Sequence, residues 1–437
     1  MTIGVIGTGY LGATHAACLA ELGFHVLAHD VDEAKVAALA AGELPFFEPG
    51  LDELVRRHTT TGRLRFVSEV AALAEDADLH FVCVGTPQRR DGMAADTSQV
   101  FGAVEALVPH LRRHTLIVGK STVPVGTSAL LAERVAALAP EDIDVEVAWN
   151  PEFLREGHAV QDTLHPDRLV FGVGSPEAEK GLRQVYDAVI RDGAPVLVTD
   201  LPTAELVKVA ANAFLATKIS FANAMAELCD ASGADVVTLA DALGLDPRIG
   251  RRFLNAGLGF GGGCLPKDIR ALMARAGELG AGDAFSLLRV VDSVNMHQRN
   301  RTVDLATEMC GGSVLGSRIA VLGAAFKPDT DDVRDSPALN VAAQLQLRGG
   351  SVVVYDPRAG ANAARLFPTL SYAESALDAV RGADLVMLLT EWEEFVRLDP
   401  AVVRDQVATP AVLDTRNALD GAAWRRAGWR FRSFGRV

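Results

Sequence analysis

The stretch T-I-G-V-I-G-T-G-Y-L-G, Thr2 to Gly12, decides the fold. Ile3 to Ile6 read as a short apolar strand, glycines stand at 7, 9 and 12, and a helical pattern runs from His15 to Leu22. Strand, G-x-G-x-x-G and helix in that order form a dinucleotide fingerprint. Its glycines allow a tight turn and close approach of a pyrophosphate, and the helix N-terminus faces the anion. Gly7, Gly9, Tyr10, Leu11 and Gly12 are therefore expected cofactor contacts. The next strand, F-H-V-L-A-H-D, ends in Asp30, placed to accept hydrogen bonds from an adenosine ribose and to repel a 2′-phosphate, so the expected cofactor is NAD and not NADP.

Outward from there the alternation continues. L-H-F-V-C-V-G-T-P leads into Thr86, and T-L-I-V-G-K-S-T ends at Ser121 and Thr122. Strands alternating with helices predict a parallel sheet whose ligands sit at the carboxyl ends, where these hydroxyl residues fall. Each alone is more often a helix cap. Lys35, Thr86, Ser121 and Thr122 join the expected cofactor contacts. The strand V-E-V-A-W then runs into the polar loop N-P-E-F-L-R-E-G, with Glu152 and Glu156 four apart. One of these carboxylates could handle protons; the plainer expectation is that both are solvated or pair with Arg155 and Arg168.

The totals bound the answer. At 437 residues the chain exceeds one hydrophobic core, so two or three domains are expected. With 49% hydrophobic and 22% charged residues it is an ordinary globular α/β composition. The formal net charge of -14 opposes a nucleic-acid or anionic-membrane partner, which would require clustered Lys and Arg. No apolar run reaches membrane-spanning length, and M-T-I-G-V-I-G lacks the basic lead of a signal peptide, so a cytoplasmic protein is expected. Cys18, Cys83, Cys229, Cys264 and Cys310 are scattered without a C-x-x-C pair, which suggests neither a disulfide framework nor a thiol metal site.

From about Thr203 to Ala231 the chain is Ala-rich, free of Gly and Pro, and apolar at helical spacing, which predicts an extended helix leaving the first domain. Lys208 and Asn212 lie four apart on one face of it. They suit oxyanion stabilisation, although a snorkelling Lys and a surface Asn are commoner on a long helix. Gly257 to Asp268 reads G-L-G-F-G-G-G-C-L-P-K-D, five glycines around one thiol. Pro266 suits the first turn of a helix, which puts Cys264 at a helix N-terminus, where free N–H groups and the macrodipole favour a thiolate. Asp268 follows one turn later. A tight loop with an inert cysteine is the plainer alternative.

After Gly312 a second alternating unit begins with S-R-I-A-V-L-G-A-A-F-K, a helix near Ala338 to Leu347, and S-V-V-V-Y-D-P. The glycine fingerprint is missing here and Lys327 stands at the strand end, so this unit is expected to hold something phosphorylated other than the dinucleotide. The fold expected is α/β, with two Rossmann-like doubly wound domains joined by a long central helix. Residues 1–202 are expected to form the NAD-binding domain, 203–300 a central helical dimerisation domain carrying the thiol loop, and 301–437 the second Rossmann-like domain, which takes that phosphorylated ligand.

Taken together, the thiol loop, N-P-E-F-L-R-E-G, the Lys208/Asn212 helix and G-A-A-F-K-P-D-T-D-D-V-R-D-S-P resemble the UDP-glucose 6-dehydrogenase family over nearly the whole chain. The broader family includes GDP-mannose and UDP-N-acetylmannosamine dehydrogenases. The resemblance implies that Cys264 is the nucleophile in a twofold NAD-dependent oxidation of a nucleotide sugar's C6 alcohol, through an aldehyde and a thioester. It implies that Lys208 and Asn212 steady oxyanions, that Asp268 and Thr122 position or activate water, and that Glu152 handles protons. Substrate contacts implied are Glu152, Phe153, Leu154, Arg155, Glu156, Lys208, Asn212, Phe253, Asn255, Gly259, Phe326 and Lys327. Arg248 is implied to reach a neighbouring subunit's substrate in a homodimer, and Arg334 to touch NAD. Two departures stand out. Arg416 is alone in T-R-N-A-L-D-G, with Asn417 where some members have a second arginine, and Gly263 replaces a frequent serine with no evident consequence. A one-hydride hydroxyacid dehydrogenase would use Lys208 and Asn212 but not Cys264, and a non-catalytic NAD sensor would use neither.

Overall fold

In the computed structural model, which describes residues 1–436, the N-terminal sheet is built from β1 (Thr2–Ile6), β2 (His25–His29), β3 (Leu64–Val67), β4 (Leu79–Val82), β5 (Thr115–Gly119), β6 (Val145–Trp149), β7 (Leu169–Gly172) and β8 (Val196–Thr199). Their order is β3-β2-β1-β4-β5-β6-β7-β8. Strands β1 to β6 are mutually parallel, and β7 with β8 run the other way, meeting β6 in an antiparallel pair at Trp149 and Gly172. The order reverses between β1 and β4, which is where a doubly wound sheet opens a crevice at its carboxyl end. The central strands β1, β4 and β5 are buried on both faces, as a parallel sheet covered by helices requires.

Two strand glycines explain how bulky partners fit inside. Gly4 is register partner to His80, and a Cβ on it would stand 2.4 Å from His80 Nδ1. Gly119 pairs with Trp149, whose ring would be 2.2 Å from an added Cβ. His80 is fully buried with neither ring nitrogen hydrogen-bonded, and burial pulls its pKa down to about 3, so it sits in the sheet as a neutral ring.

The second sheet contains β9 (Arg318–Leu322), β10 (Ser351–Tyr355), β11 (Ser371–Tyr372), β12 (Leu385–Leu388), β13 (Ala411–Asp414) and β14 (Arg430–Ser433). All are parallel, in the order β11-β10-β9-β12-β13-β14. The expected pair of doubly wound sheets is therefore present. The long helix is present as well, spanning Leu201–Ser232 with Pro202 accommodated in its first turn, where a missing N–H costs nothing. The chain divides into two compact units, one of Met1–Ala211 with Arg270–Gly280, the other of Asn212–Ile269 with the residues from Ala281 onward, so the long helix begins in one and continues in the other. No helix among the described residues is long and apolar enough to cross a membrane.

Candidate functional site

In the first unit the helix Tyr10–Glu21 starts three residues after Gly7. Gly7 adopts φ +89°, in the region that favours glycine, and its N–H donates to His29 O at 2.8 Å. A Cβ at position 12 would lie 1.7 Å from Gly7 O, so the helix can reach the turn only if residue 12 is glycine. A Cβ on Gly9 would meet no described atom within 4 Å, which leaves the backbone approachable at the helix N-terminus. The residues present fit a bound pyrophosphate.

Asp30 ends β2 as expected. Its Oδ2 accepts from Thr8 N at 2.8 Å, Thr8 Oγ1 at 3.1 Å and Lys35 Nζ at 2.9 Å, and Oδ1 accepts from Asp32 N at 3.1 Å. Burial works to raise its pKa, but these donors outweigh it and hold the carboxylate below the ordinary range. Thr86 donates its hydroxyl to Thr122 O at 2.7 Å and Ser121 to Val84 O at 2.7 Å, so both hydroxyls knit the strand-end loops together and offer only lone pairs outward. Tyr10 donates to Glu48, and Gly157 N–H donates to the Tyr10 oxygen at 3.1 Å. Burial, and then Glu48, push that phenol far above its usual pKa.

The loop after β6 corrects one expectation. Glu152 does not pair with an arginine. Its Oε1 stands 2.8 Å from Lys208 Nζ, with both side chains largely buried, and its Oε2 accepts from Leu154 N at 2.6 Å. Arg155 binds Asp162 instead, through Nε at 2.9 Å and a second nitrogen at 2.6 Å, and Arg168 lies over the Phe153 ring, 3.8 Å from its centroid. Lys208 is thus a buried, paired ammonium and not a snorkelling one.

In the second unit Cys264 is exposed immediately before the helix Leu265–Glu278, and Asp268 N–H donates to Cys264 O at 2.9 Å, the first bond of that helix. Asp268 is buried; its Oδ2 accepts from Asn212 Nδ2 at 2.7 Å and its Oδ1 from Lys267 Nζ at 2.6 Å. Asn212 is therefore not a surface residue. Phe253 holds a left-handed backbone, φ +64°, rare for a bulky side chain and characteristic of strained functional loops. Asn255 accepts from Arg251 at 2.7 Å, and Arg248 is exposed and paired with Asp246 at 2.6 Å. Beyond β9, Phe326 donates its N–H to Asp332 O at 3.2 Å, and Lys327 Nζ lies 5.8 Å from the Phe326 ring.

Residues 1–190 match the NAD binding domain of the UDP-glucose/GDP-mannose dehydrogenase family, residues 202–297 its central domain, and residues 320–421 its UDP binding domain. The chain belongs to the UDP-glucose/GDP-mannose dehydrogenase family. It is 41% identical over 437 residues to a UDP-glucose 6-dehydrogenase of Bacillus subtilis, covering 100% of this chain and 98% of that one. It is 41% identical over 438 residues to the UDP-glucose 6-dehydrogenase of Rhizobium meliloti, covering 100% of both. A UDP-glucose dehydrogenase structure from Pyrobaculum islandicum superposes with a TM-score of 0.90 at 38% identity, covering 99% of this chain and 96% of that one. NAD is the cofactor of the first domain.

The two departures from the family pattern have structural counterparts. Asn417, at φ +54°, donates to Phe434 O at 3.0 Å and Ala256 O at 3.3 Å, so it fastens backbone. Arg416 donates to Leu389 O at 2.7 Å and to Gly259 O at 3.1 Å, bracing the thiol loop. Gly263 does have a consequence: a Cβ there would stand 2.4 Å from Arg334 Cζ, so a serine would push the guanidinium from its place over the loop.

Several residues that hold this site escaped the sequence reading. Asn295, buried on the helix Ser286–Met309, accepts from Phe260 N at 2.8 Å and donates to Phe260 O at 3.0 Å. Its Oδ1 would be 2.4 Å from a Cβ on Gly259, which sits at φ +97°. Asn223 accepts from Gly257 N at 2.8 Å. A buried amide in a long helix is the signal that could have found them, since it needs partners off the helix.

Proposed function

We propose that this chain oxidises the C6 alcohol of UDP-glucose to the carboxylate of UDP-glucuronate, through a thioester on Cys264. The observation that carries the reading is an exposed thiol at a helix N-terminus, one turn from a buried Asp268–Asn212 pair, in a chain that also builds a dinucleotide turn. The substrate follows the UDP-glucose 6-dehydrogenases that the chain resembles at 41% identity. A single hydride transfer from an alcohol leaves Cys264 without work.

Bound NAD supplies the acceptor for both two-electron oxidations. Gly7, Gly9 and Gly12 cradle its pyrophosphate, and Asp30 takes the ribose hydroxyls. Tyr10, Leu11, Lys35, Thr86, Ser121, Thr122 and Arg334 complete the contacts. Cys264, its thiolate favoured by the helix N-terminus, adds to the C6 aldehyde carbon and keeps that carbon on the enzyme through the second oxidation, as a thiohemiacetal before it and a thioester after it. Lys208 and Asn212 stabilise the C6 oxyanions. Water then attacks the acyl carbon, the carbon–sulfur bond breaks, and the carboxylate leaves as the thiol is restored. Asp268 and Thr122 position that water, and Glu152, bonded to Lys208, takes up protons. Phe153, Leu154, Arg155, Glu156, Phe253, Asn255, Gly259, Phe326 and Lys327 bind the nucleotide sugar.

Counting NADH against the substrate consumed, with the product identified by mass, tests the reading. Two per product, with an acyl adduct on Cys264 trapped by Asp268→Asn and seen by mass spectrometry, is the expected result. One per product points to hydroxyacid chemistry, and none with any of a panel of nucleotide sugars points to a sensor.

The same reading includes a homodimer. Phe214, Phe221 and Leu228, spaced by seven on the long helix, are 67%, 49% and 60% exposed, a stripe that a second helix covers well. Arg248, exposed, completes the partner's substrate site. Sedimentation should give a dimer, and Phe221→Glu a monomer. Mixing Arg248→Ala with Cys264→Ala chains should restore part of the activity; a fully active monomer rules the dimer out.

A further inference from the structure

The NAD-binding domain buries a lysine that none of these roles uses. Lys120, 6% exposed, directly follows β5. No carboxylate is hydrogen-bonded to its ammonium among the described residues. Its Nζ donates to Asn150 Oδ1 at 2.8 Å and to the Tyr186 oxygen at 3.2 Å, and Tyr186 donates its own proton to the same Asn150 oxygen at 2.6 Å. The rings of Phe81 and Tyr186 stand 5.7 Å from Nζ. Asn150 Nδ2 donates to Val170 O at 2.9 Å, which ties the group to β7. The charged or titratable groups around Lys120 come from every neighbouring element: Cys83 after β4, His15 on the Tyr10–Glu21 helix, Glu152 after β6, and Lys208 on the long helix.

An ammonium here is expensive. Burial pushes its pKa down to about 8, and an apolar side chain of similar length would avoid that desolvation. The place in the chain supplies a reason to keep it. Gly119 and Trp149 are the last register partners of β5 and β6, and Asn150 N–H donates to Gly119 O at 2.8 Å. Beyond that rung β5 and β6 no longer pair with each other, and the segments that follow them run on as loops. Lys120 stands two residues before Thr122, and Asn150 two residues before Glu152.

We propose that the Lys120–Asn150–Tyr186 cluster is a latch between these loops that holds Thr122 and Glu152 at a fixed separation, so that Lys120 and Asn150 are positioning residues for the oxidation. The inference rests on the roles assigned above to Thr122 and Glu152. Removing Lys120 takes one donor from each oxygen but leaves neither without a hydrogen bond, because Tyr186 still donates to Asn150. The latch is therefore dispensable for the fold and needed for alignment.

The test uses the full-length Lys120→Met enzyme. Its thermal midpoint should be unchanged or raised. Its kcat should fall by roughly tenfold or more while KM for UDP-glucose and for NAD stays within about twofold, the pattern of lost alignment and not of lost binding. Amide hydrogen exchange should quicken together in residues 119–126 and 150–157. Tyr186→Phe, a milder change, should move each readout in the same direction and serves if Lys120→Met folds poorly. An unchanged kcat overturns the latch, as does a fall in kcat matched by a lower midpoint and lost NAD binding, or exchange that quickens in neither loop or in only one. Thr122→Ala and Glu152→Gln run alongside: if both turn over normally, the roles assigned to them fail, while the exchange data still decide whether the latch exists.

Discussion

The two sheets share an opening and then part. After β1, Gly7 turns at φ +89° and donates to His29 O at 2.8 Å; after β9, Gly323 turns at φ +106° and donates to Tyr355 O at 2.8 Å. In each, the second strand ends in an aspartate that accepts the N–H following that glycine, Asp30 from Thr8 and Asp356 from Ala324. The difference lies beyond the turn. In the first sheet the helix begins at Tyr10 and packs on the turn through Gly12, so its N-terminus meets whatever lies over the glycines. In the second the helix begins only at Pro337, and the intervening G-A-A-F-K-P-D-T-D-D-V-R-D-S carries Phe326, Lys327 and Arg334. Asp356 is also filled by five donors: the N–H groups of Ala324, Ala325, Arg358 and Ala359, and the Trp392 indole at 3.1 Å. A strand-end acid that is saturated by its own protein cannot receive a ribose. Asp30 keeps an oxygen, Oδ1, with the single donor Asp32 N, so one fold yields a dinucleotide site where the helix meets the turn and the acid has a lone pair to spare, and a different surface where neither holds.

Breaking that comparison at its tightest point should have the largest effect. Gly12→Ala drives a methyl into Gly7 O and should destabilise the first unit by about 3 kcal/mol or more, with NAD affinity down at least about a hundredfold. Ala325→Gly in the second sheet touches no such contact and should shift stability by about 1 kcal/mol or less, with NAD affinity unchanged. Thermal melts and NAD titrations of both variants decide it; a Gly12→Ala enzyme that binds NAD normally would mean the helix does not seat on the turn as described.

A smaller effect should separate the two acids. Asp356→Ala orphans buried donors and should cost about 2 to 3 kcal/mol, leaving the ratio of NAD to NADP efficiency as it was. Asp30→Ala should lower NAD efficiency and raise that with NADP, narrowing the preference by roughly tenfold or more. Equal use of NAD and NADP by the unmodified enzyme would show that Asp30 does not read the ribose.

The fold was legible because its signals are local and repeated: apolar strands, glycines at fixed spacing, a long Ala-rich helix. The thiol loop was legible for the same reason, with Pro266 marking the helix that Cys264 precedes. What escaped were side chains whose partners lie far along the chain. Glu152 finds Lys208, Asp268 finds Asn212, and the backbone of the thiol loop is held by Asn223, Asn295 and Arg416. A carboxylate next to arginines in sequence invites pairing with them, yet Arg155 turned to Asp162, seven residues on, which the first turn of the helix Ala159–Leu164 presents to it. Gly263 looked neutral only because the guanidinium that lies over it belongs to residue 334.

The smallest effect is one of sign, and it sets two strand-end acids against each other. Asp30 is held below the ordinary aspartate pKa of about 4, its burial outweighed by Thr8 and Lys35. Asp414, which ends β13 and accepts from Arg416 N at 2.9 Å and Leu419 N at 2.8 Å, is raised above it because burial outweighs those bonds. By linkage, the stability that Asp30 contributes is present above the ordinary value and is lost as pH falls through its depressed one. The contribution of Asp414 runs the other way: it is fully present below the ordinary value and is lost as pH rises through its elevated one. Asn at either position removes the titration and adds an offset that does not change with pH. Urea midpoints taken from near-neutral pH down to about 3.5 should therefore show the deficit of Asp30→Asn shrinking on acidification and that of Asp414→Asn growing. Two deficits that move in parallel would mean that the surroundings of Asp30 and of Asp414 do not differ in how they treat a charge.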